Sequence, residues 1–437
     1  MMQRWRQFIS NPYVIVAAAF VLRLGYHAFL VYQRAPSKGQ GVLKGFETVQ
    51  IATSIATGHG FSSPLAVQSG PTAWLTPVFP YLLALIFKVF GVGTLGAEGA
   101  IKCLDALFSS LVCLPLVAIG RRLTAPWVGV LSAWLWALLP SSVVFAVVWV
   151  WDTSLTALCL TVLLYFTLVI SETQGWRLWL AYAALWAFSA LTNAIVLSAL
   201  PGLALFAIYR ARAFSALWLR NATVAALLFL AGIAPWIVRN EIVFHGQVAF
   251  RSNFPLELWL GNNPQVPDIW APWLHPANDP KERKHFQEVG EVAYMNEKRH
   301  AALQFITSHP AETLEFTYHR FMITWTGGDN YLNDFGTDLP LGLRIDMLLS
   351  SAFSLVAFVG LWNLLRKNPA EAIPFAWIMF AFPLVYYITH PSPRYRSPMD
   401  PCMAFLAMYA VVTPFSRLRK APALTEEHAE SLVRTAT

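Results

Sequence analysis

Apolar runs recur along the chain, the longest of them about 20 residues and enough to cross a ~30 Å hydrocarbon core. Hydropathy places ten such spans: Pro12–Tyr32, Gly99–Gly120, Pro126–Pro140, Thr153–Ile170, Leu178–Leu191, Ile195–Tyr209, Ala222–Val238, Ile345–Leu365, Ile373–Ile388 and Pro398–Pro414. An eleventh run, Pro77–Gly91, is short, carries Lys88 and contains Pro80. It reads as a helix lying in the interface rather than crossing. Only 13% of the residues are charged and 56% are hydrophobic, against about a quarter charged in soluble domains. A soluble multidomain enzyme and a disordered chain are both excluded. The expectation is an all-α polytopic membrane protein. The first apolar run is too long for a cleavable signal and lacks an A-x-A site, so it should persist as an anchor.

Positive charge orients the bundle. With Pro77–Gly91 lying flat, Arg4, Arg6, Arg121, Arg122, Arg177, Arg210, Arg212, Arg220, Arg366, Lys367, Arg417, Arg419 and Lys420 fall on one side, the cytoplasm, together with both termini. Residues 239–344 hold nine Lys/Arg against thirteen Asp/Glu, a net of −4, and the rest of the chain carries +11. The overall +7 thus comes from loop ends near anionic lipid and not from a nucleic-acid surface. The division expected is 1–238, a transmembrane module with a first external loop at 33–98; 239–344, a small external, mainly helical domain; 345–416, the last transmembrane helices; and 417–437, a frayed cytoplasmic tail. Within the external domain 281–308 reads as one amphipathic helix and 310–325 as a second, with Pro310 in its first turn. Cys103, Cys113, Cys159 and Cys402 all sit in apolar runs without CxxC or Cys/His spacing. They read as buried hydrophobes, and neither a zinc site nor a disulfide framework is suggested.

In such a chain the ionisable residues at the lipid boundary are the informative ones. On the external side Glu47 opens a short amphipathic helix that Gly58 and Gly60 end. Asp152, in VVFAVVWVWDTSL, is isolated between two apolar runs. Each carboxylate also has a plain structural use, Glu47 as a charge at a helix N-terminus and Asp152 as a cap for the helix starting at Thr153. The cations are Arg239 beside Asn240, Arg251 beside Asn253, and His390, Arg394 and Arg396 in THPSPRYRSPMDP, where Tyr395 sits between the two arginines. Snorkelling is their structural alternative. Arg23 and Lys102 lie a turn or two inside the boundary, and Lys102 stands three residues from Asp105. Cations beside a bilayer suit a phosphate whose lipid tail stays in the membrane, and a carboxylate suits a general base acting on an acceptor hydroxyl or amine. No GxGxxG or GxxxxGK[ST] is present to suggest a nucleotide fold.

Four stretches carry a family resemblance: Glu47 with IATSIATGHGFSSP and SGPTAWLTPVFPYLLALIFKVFG; RRLTAPWVGVLSAWLWALLPSSVVFAVVWVWDTSL; APWIVRNEIVFHG followed by RSNFPLELWLGNNP; and HPSPRYRSPMDP. In order and spacing the chain resembles the polyprenyl-phosphate-dependent GT-C glycosyltransferases, the bacterial relatives of protein O-mannosyltransferases and of the lipid A aminoarabinose transferase. The resemblance implies a GT-C bundle with juxtamembrane helices in a bacterial cytoplasmic membrane. It implies transfer of a hexose or pentose from a polyprenyl-phosphate sugar to a glycan, lipid or protein acceptor outside that membrane, with inversion. Arg394 and Arg396, with Lys102, would hold the donor phosphate. The acidic residue of the family's first external loop falls on Glu47 and that of the second on Asp152. Many relatives carry an acidic pair in the first loop where this chain has Phe46 and one Glu. That departure leaves open which carboxylate is the base and weakens the case for a metal held by paired acids. A divalent cation is the one cofactor left open, with no metal ligand assigned. Trp259, Trp270 and Trp273 would either stack on sugar rings or pack the external core. The rival readings are a transporter or flippase for a lipid-linked saccharide, which should show internal repeats that are not evident here, and a non-catalytic assembly subunit indifferent to Glu47 and Asp152.

Overall fold

The computed structural model describes residues 2–33, 43, 45–170, 175–245, 248–328 and 341–412. The expected tail at 417–437 and residues 34–42 of the first loop lie outside them. The described residues are helical almost throughout, and their one β feature is an isolated bridge between Ser62 and Pro71. Six helices are long and apolar enough to cross a membrane: Pro12–Gln33, Leu95–Leu123, Thr153–Ile170, Trp218–Phe244, Arg344–Lys367 and Pro369–Ile388. The pair Pro126–Leu138 and Pro140–Val147, bent by 51°, is long and apolar enough only when its two helices are taken together, as a broken span or a re-entrant loop. Pro140 causes the bend, because it lacks an N–H and forces Leu139 into extended backbone (φ −62°, ψ 121°). The other three expected spans are helices of 17, 15 and 13 residues in the same bundle: Trp176–Thr192, Leu200–Phe214 and Asp400–Val412.

The bundle core joins Leu116, Trp136, Leu160, Leu163, Trp186, Leu203, Phe375 and Phe405. Backbones approach closely where side chains vanish: a Cβ at Gly360 would strike the carbonyl of Leu406, so Arg344–Lys367 and Asp400–Val412 meet there. Outward, Leu219, Leu227, Leu230, Val238 and Ile242 of one helix are exposed, as a lipid-facing helix requires. The helix Val78–Phe90 has 13 residues, about 20 Å, too short to span. It buries Phe79, Leu83 and Phe87 while Tyr81, Leu85 and Val89 stay exposed. Arg23, deep in its helix, is fully buried and donates to Ser109 Oγ and Ser142 Oγ (2.9 Å each) and to the carbonyls of Ala19 (3.0 Å) and Ala137 (3.2 Å). It is a structural pin.

A second core lies at one end of the bundle. It unites Phe61, Leu65 and Trp74 of the first loop with Leu256, Leu260, Phe286, Tyr294 and Phe305. The first loop and the segment after residue 239 therefore pack as one body. The segment read as a single helix over 281–308 is two, Pro280–Val289 and Glu291–Ser308, broken at Gly290 (φ +82°). The left-handed glycine re-aims the chain, so that Glu291 accepts from Thr72 Oγ1 (2.5 Å) and Ala73 N (2.8 Å). Pro310–Thr326 forms as expected.

Candidate active site

Five short segments converge where the second core meets the ends of the spans. Glu47 stands in the first turn of Phe46–Ala56. Its N-cap, Gly45, has no room for a Cβ, which would meet Val49 and Val150. The glycine thus lets the start of this helix press on the turn that carries Asp152. Asp152 immediately precedes the helix Thr153–Ile170. Arg251, Asn253 and Glu257 come from the approach to, and first turn of, Phe254–Gly261. His275 follows the short turn Pro272–Leu274. His390, Arg394 and Tyr395 lie in the reentry between the last two helices, where Ser392 caps Pro393–Arg396. Arg320 holds this reentry against Phe254–Gly261 by donating to the carbonyls of Ile388 (3.2 Å), Ile269 (3.1 Å) and Gly261.

Two carboxylate–histidine pairs face the site. Glu47 Oε1 is 3.5 Å from His275 Nε2, and Glu257 Oε2 is 3.6 Å from His390 Nδ1. Glu257 also accepts from Asn253 Nδ2 at 3.0 Å. Trp270 lies flat on His390, centroids 4.4 Å apart and planes 5° apart. Tyr395 Oη and His390 Nε2 share a hydrogen bond at 3.0 Å. The Arg394 guanidinium sits 3.4 Å over the Trp151 ring and 4.5 Å from that of Tyr395. Among the described residues no carboxylate forms an ion pair with it. Arg251 donates Nε to the carbonyl of Trp74 (3.1 Å). Asp152 faces Arg251 and Arg394 and takes a hydrogen bond from the Asn193 amide.

Burial dominates the electrostatics. It raises Asp152 above the usual carboxylate range against the pull of Arg251 and Arg394. It raises Glu257 as well, with Glu47 adding to the rise and His275 and Arg251 opposing it. His390 is pushed down to about 3, first by burial, then by Arg394, Arg320 and His275. Its imidazole is neutral at physiological pH, and Arg394 carries the positive charge beside it.

Several expected site residues are committed elsewhere. Arg396 points away from Arg394. Its Nε pairs with Asp400 at 3.0 Å, and Nη1 donates to the Thr324 carbonyl and Ser354 Oγ, both at 3.3 Å. Buried, and held through Nε and Nη1, it braces the reentry and is turned away from the site. Lys102 is likewise buried, and its ammonium donates to the carbonyl of Trp149 at 2.6 Å, pinning the turn behind the site. Arg239 ties its helix to the first loop through the carbonyls of Thr72 (2.8 Å) and Phe61 (3.1 Å), wrapped by Phe61, Trp236 and Phe244. Asn240 is buried and donates to the Ala249 carbonyl at 3.0 Å. Of the three tryptophans, Trp259 is covered by the Lys298 ammonium at 3.7 Å, Trp273 is exposed, and Trp270 reaches the site with one face on His390. Glu257, His275, Asn193 and Trp151 are site residues that the sequence did not single out. The available signal for Glu257 was a lone acid inside FPLELWLG. Among the described residues no three His, Cys, Asp or Glu side chains converge to hold a metal ion, and no step below is routed through one.

Residues 71–238 match the family model described as dolichyl-phosphate-mannose-protein mannosyltransferase. No curated protein sequence matches the chain significantly. Among solved structures, the archaeal oligosaccharyltransferase AglB from Archaeoglobus fulgidus, in complex with an inhibitory peptide and a dolichol-phosphate, aligns over 97% of this chain and 54% of its own (TM-score 0.53, 11% identity). The same organism's oligosaccharyltransferase in complex with Zn and sulfate aligns over 96% and 51% (TM-score 0.51, 12% identity). ArnT from Cupriavidus metallidurans bound to undecaprenyl phosphate is a looser likeness, over 92% and 78% (TM-score 0.39, 14% identity), and no argument rests on it. The chain spans about half the length of the oligosaccharyltransferases, and at these identities the fold is what is shared. Over nearly its whole length the chain shares the fold of these oligosaccharyltransferases, and residues 71–238 carry the sequence pattern of the mannosyltransferase family model.

Proposed function

We propose that the chain is an integral-membrane glycosyltransferase that moves a sugar from a polyprenyl-phosphate donor to an acceptor at the outer face of the cytoplasmic membrane. One observation carries the reading: Arg394, a cation with no ion-pair partner among the described residues, is clamped between Trp151 and Tyr395 and faces the part-buried Asp152. A guanidinium so held is preorganised for a diester phosphate, which it can bind through two parallel N–H donors. Arg251 stands close enough to share that charge. Arg394 and Arg251 take the place first given to Arg394, Arg396 and Lys102.

The chemistry follows from where the groups stand. The acceptor hydroxyl or amine gives its proton to Glu47, whose side chain is 19% exposed and paired with His275. The acceptor atom bonds to the anomeric carbon as the bond from that carbon to the phosphate oxygen breaks. The electron pair leaves on the polyprenyl phosphate, where Arg394 and Arg251 stabilise the growing charge. Single displacement inverts the anomeric centre. Asp152, more deeply set, orients the acceptor. The first loop and residues 239–344, which share a core, shape the acceptor side.

The outward-facing assignment is supported by the far end of the bundle. Asp152 begins the 18-residue helix Thr153–Ile170, about 27 Å long, and Arg122 donates to the carbonyl of Leu168 at its other end (3.0 Å). Arg210 pairs with Glu371 (3.3 Å) where the helix from Pro369 starts. The basic end is the cytoplasmic one. Incubating purified protein with labelled polyprenyl-phosphate sugars and envelope extract tests the activity. Label should move to an extractable glycan, lipid or protein with release of polyprenyl phosphate. Labelled donor consumed to free sugar alone, or not consumed with any sugar tried, would sink the reading.

A further inference from the structure

The helices Trp176–Thr192 and Trp218–Phe244 run side by side, both starting at the basic end of the bundle. They touch at Gly232, where a Cβ would come within 2.7 Å of the Ala187 methyl. Roughly 16 Å nearer the basic end, a cavity of about 320 Å³ opens between them, lined by Trp176, Leu180, Arg220, Asn221 and Val224. Its two polar residues are incomplete. Asn221 is only 4% exposed, yet its side-chain amide makes no hydrogen bond among the described residues. A buried amide ordinarily finds partners, and this one borders the cavity. Arg220 is exposed at the rim and forms no ion pair or ring contact among the described residues. A second guanidinium, Arg177, lies 5.9 Å from the centroid of the Trp176 ring. Neither helix has a capping side chain at its start, so both helix dipoles add positive potential at this end. The surroundings are lipid. Trp176, Leu219, Val224 and Leu227 are exposed on the two helices, and Arg220 and Asn221 stand where the apolar run Ala222–Val238 begins. Tryptophan and arginine at that level mark the headgroup boundary.

We infer that this cavity is a binding site for an anionic phospholipid, whose phosphate takes the Arg220 guanidinium and an Asn221 amide N–H while its first acyl carbons lie on Leu180 and Val224. The polar half alone suits any phosphate. Leu180 and Val224 offer nothing to a free phosphate, and Trp176 and Val224 are exposed at the level of the bilayer, so the ligand comes with a tail. A zwitterionic lipid carries the same phosphate with its own cation attached and competes poorly for Arg220. The site is far from Arg394 in function: it stands whether or not that residue holds a donor.

The test is native mass spectrometry of the full purified chain in a neutral detergent, titrated with phosphatidylglycerol or with phosphatidylcholine of the same acyl chains. Wild type should hold phosphatidylglycerol roughly 5- to 30-fold tighter, the range of one to two arginine contacts with an anionic headgroup. Arg220→Ala, a change at an exposed position, should remove about fivefold of that preference. Asn221→Leu, which keeps the volume and removes the amide, should weaken both lipids roughly 2- to 12-fold. Arg212→Ala removes an arginine of the same end that packs on Tyr209 and does not line the cavity, and it should leave the preference intact. Equal Kd values for the two lipids in wild type, a loss as large in Arg212→Ala as in Arg220→Ala, or full retention in both Arg220→Ala and Asn221→Leu overturns the inference. Glycerol phosphate is the soluble arm and should not displace the lipid. Displacement at concentrations near the lipid's own Kd would assign the cavity to a soluble phosphate and overturn the lipid.

Discussion

Arg23 and Arg394 are both guanidiniums in largely apolar surroundings, and the fold treats them in opposite ways. Arg23, in the bundle, is met by two serine hydroxyls and helix carbonyls, each close enough to hydrogen-bond. Arg394, at the end of the bundle, is met by ring faces. A charge in a low-dielectric interior is tolerable when fixed dipoles surround it, and removing those dipoles leaves it uncompensated. Ring faces hold a cation in place, and Arg394 also bonds the Tyr395 hydroxyl. The bundle therefore completes its own charges, while Arg394 is left without an ion-pair partner among the described residues, as the proposed phosphate role requires. Arg396 repeats the first pattern two residues away from Arg394, with Asp400 as its partner. The difference predicts that mutations at the two kinds of charge fail in different ways.

The largest effect should come from Glu47 and Asp152, the carboxylates given roles in the proposed transfer. Glu47→Gln should lower turnover ~10²–10⁴-fold, the usual cost of losing a general base, with expression and melting temperature near wild type. Asp152→Asn should lower it less, because an amide can still orient an acceptor. Steady-state kinetics on well-folded variants decide the point. If both keep more than about a third of wild-type turnover, far above the general-base estimate, the carboxylates are structural and the site is wrongly placed.

Arg396→Ala should act on stability instead. Breaking a buried ion pair leaves Asp400 uncompensated and costs about 3–5 kcal/mol. The expected result is poor yield or a marked drop in Tm, with the donor KM of the folded fraction unchanged. Arg394→Ala should do the reverse: full yield, and a loss of roughly 30- to 150-fold in donor kcat/KM from a charged contact of ~2–3 kcal/mol. Arg394→Lys should recover part of that, since an ammonium lacks the fork. An Arg394→Ala protein that melts early and keeps its donor KM would erase the contrast between the two arginines.

How much of this was legible in the sequence follows the range of the interactions involved. The spans could be read because lipid imposes length and apolarity on contiguous residues, and Pro77–Gly91 could be set apart by its shortness together with Lys88, Pro80 and the side on which Arg121 and Arg122 must fall. Glu47, Asp152, Arg251, Arg394 and His390 could be collected because charge at a lipid boundary is conspicuous. The separation of Arg394 from Arg396 could not be read, for Asp400 lies one helical turn further on and only the fold shows which arginine it captures. Gly290 lies inside the charged amphipathic pattern read as one helix over 281–308, and it is a break that brings Glu291 to Thr72 and Ala73. Glu257 was hidden by its leucine neighbours. Its partner His390 lies on another element, and pairing across elements leaves no local period to detect.

The smallest effect concerns His390, which combines both patterns: stacked on Trp270, bonded by Tyr395, and kept uncharged. The groups facing it are Glu257, Tyr395, Arg394, Arg320 and His275, and the three cationic or ionisable bases among them act with burial to hold it down to about 3. In the unfolded chain a histidine titrates near 6.5. The folded pKa is thus the depressed one, so the neutral imidazole's contribution to stability is complete above about 6.5. It is lost as pH falls from there toward about 3, because the unfolded state takes up a proton the folded state refuses. Between pH 7.5 and pH 5 this linkage should cost wild type about 2 kcal/mol. His390→Gln keeps the size and a hydrogen bond for Tyr395 but cannot titrate. It should start less stable at pH 7.5 and lose about 2 kcal/mol less than wild type on acidification to pH 5. Glu257 does not mimic this. Its pKa is raised, so its burial favours the fold at low pH and opposes the histidine's trend. Unfolding free energies of the two proteins across this range measure the difference directly. Parallel curves for wild type and His390→Gln would mean that His390 already carries a proton in the folded protein. The positive charge beside Asp152 and Glu257 would then be shared between His390 and Arg394, rather than held by Arg394 for a substrate anion.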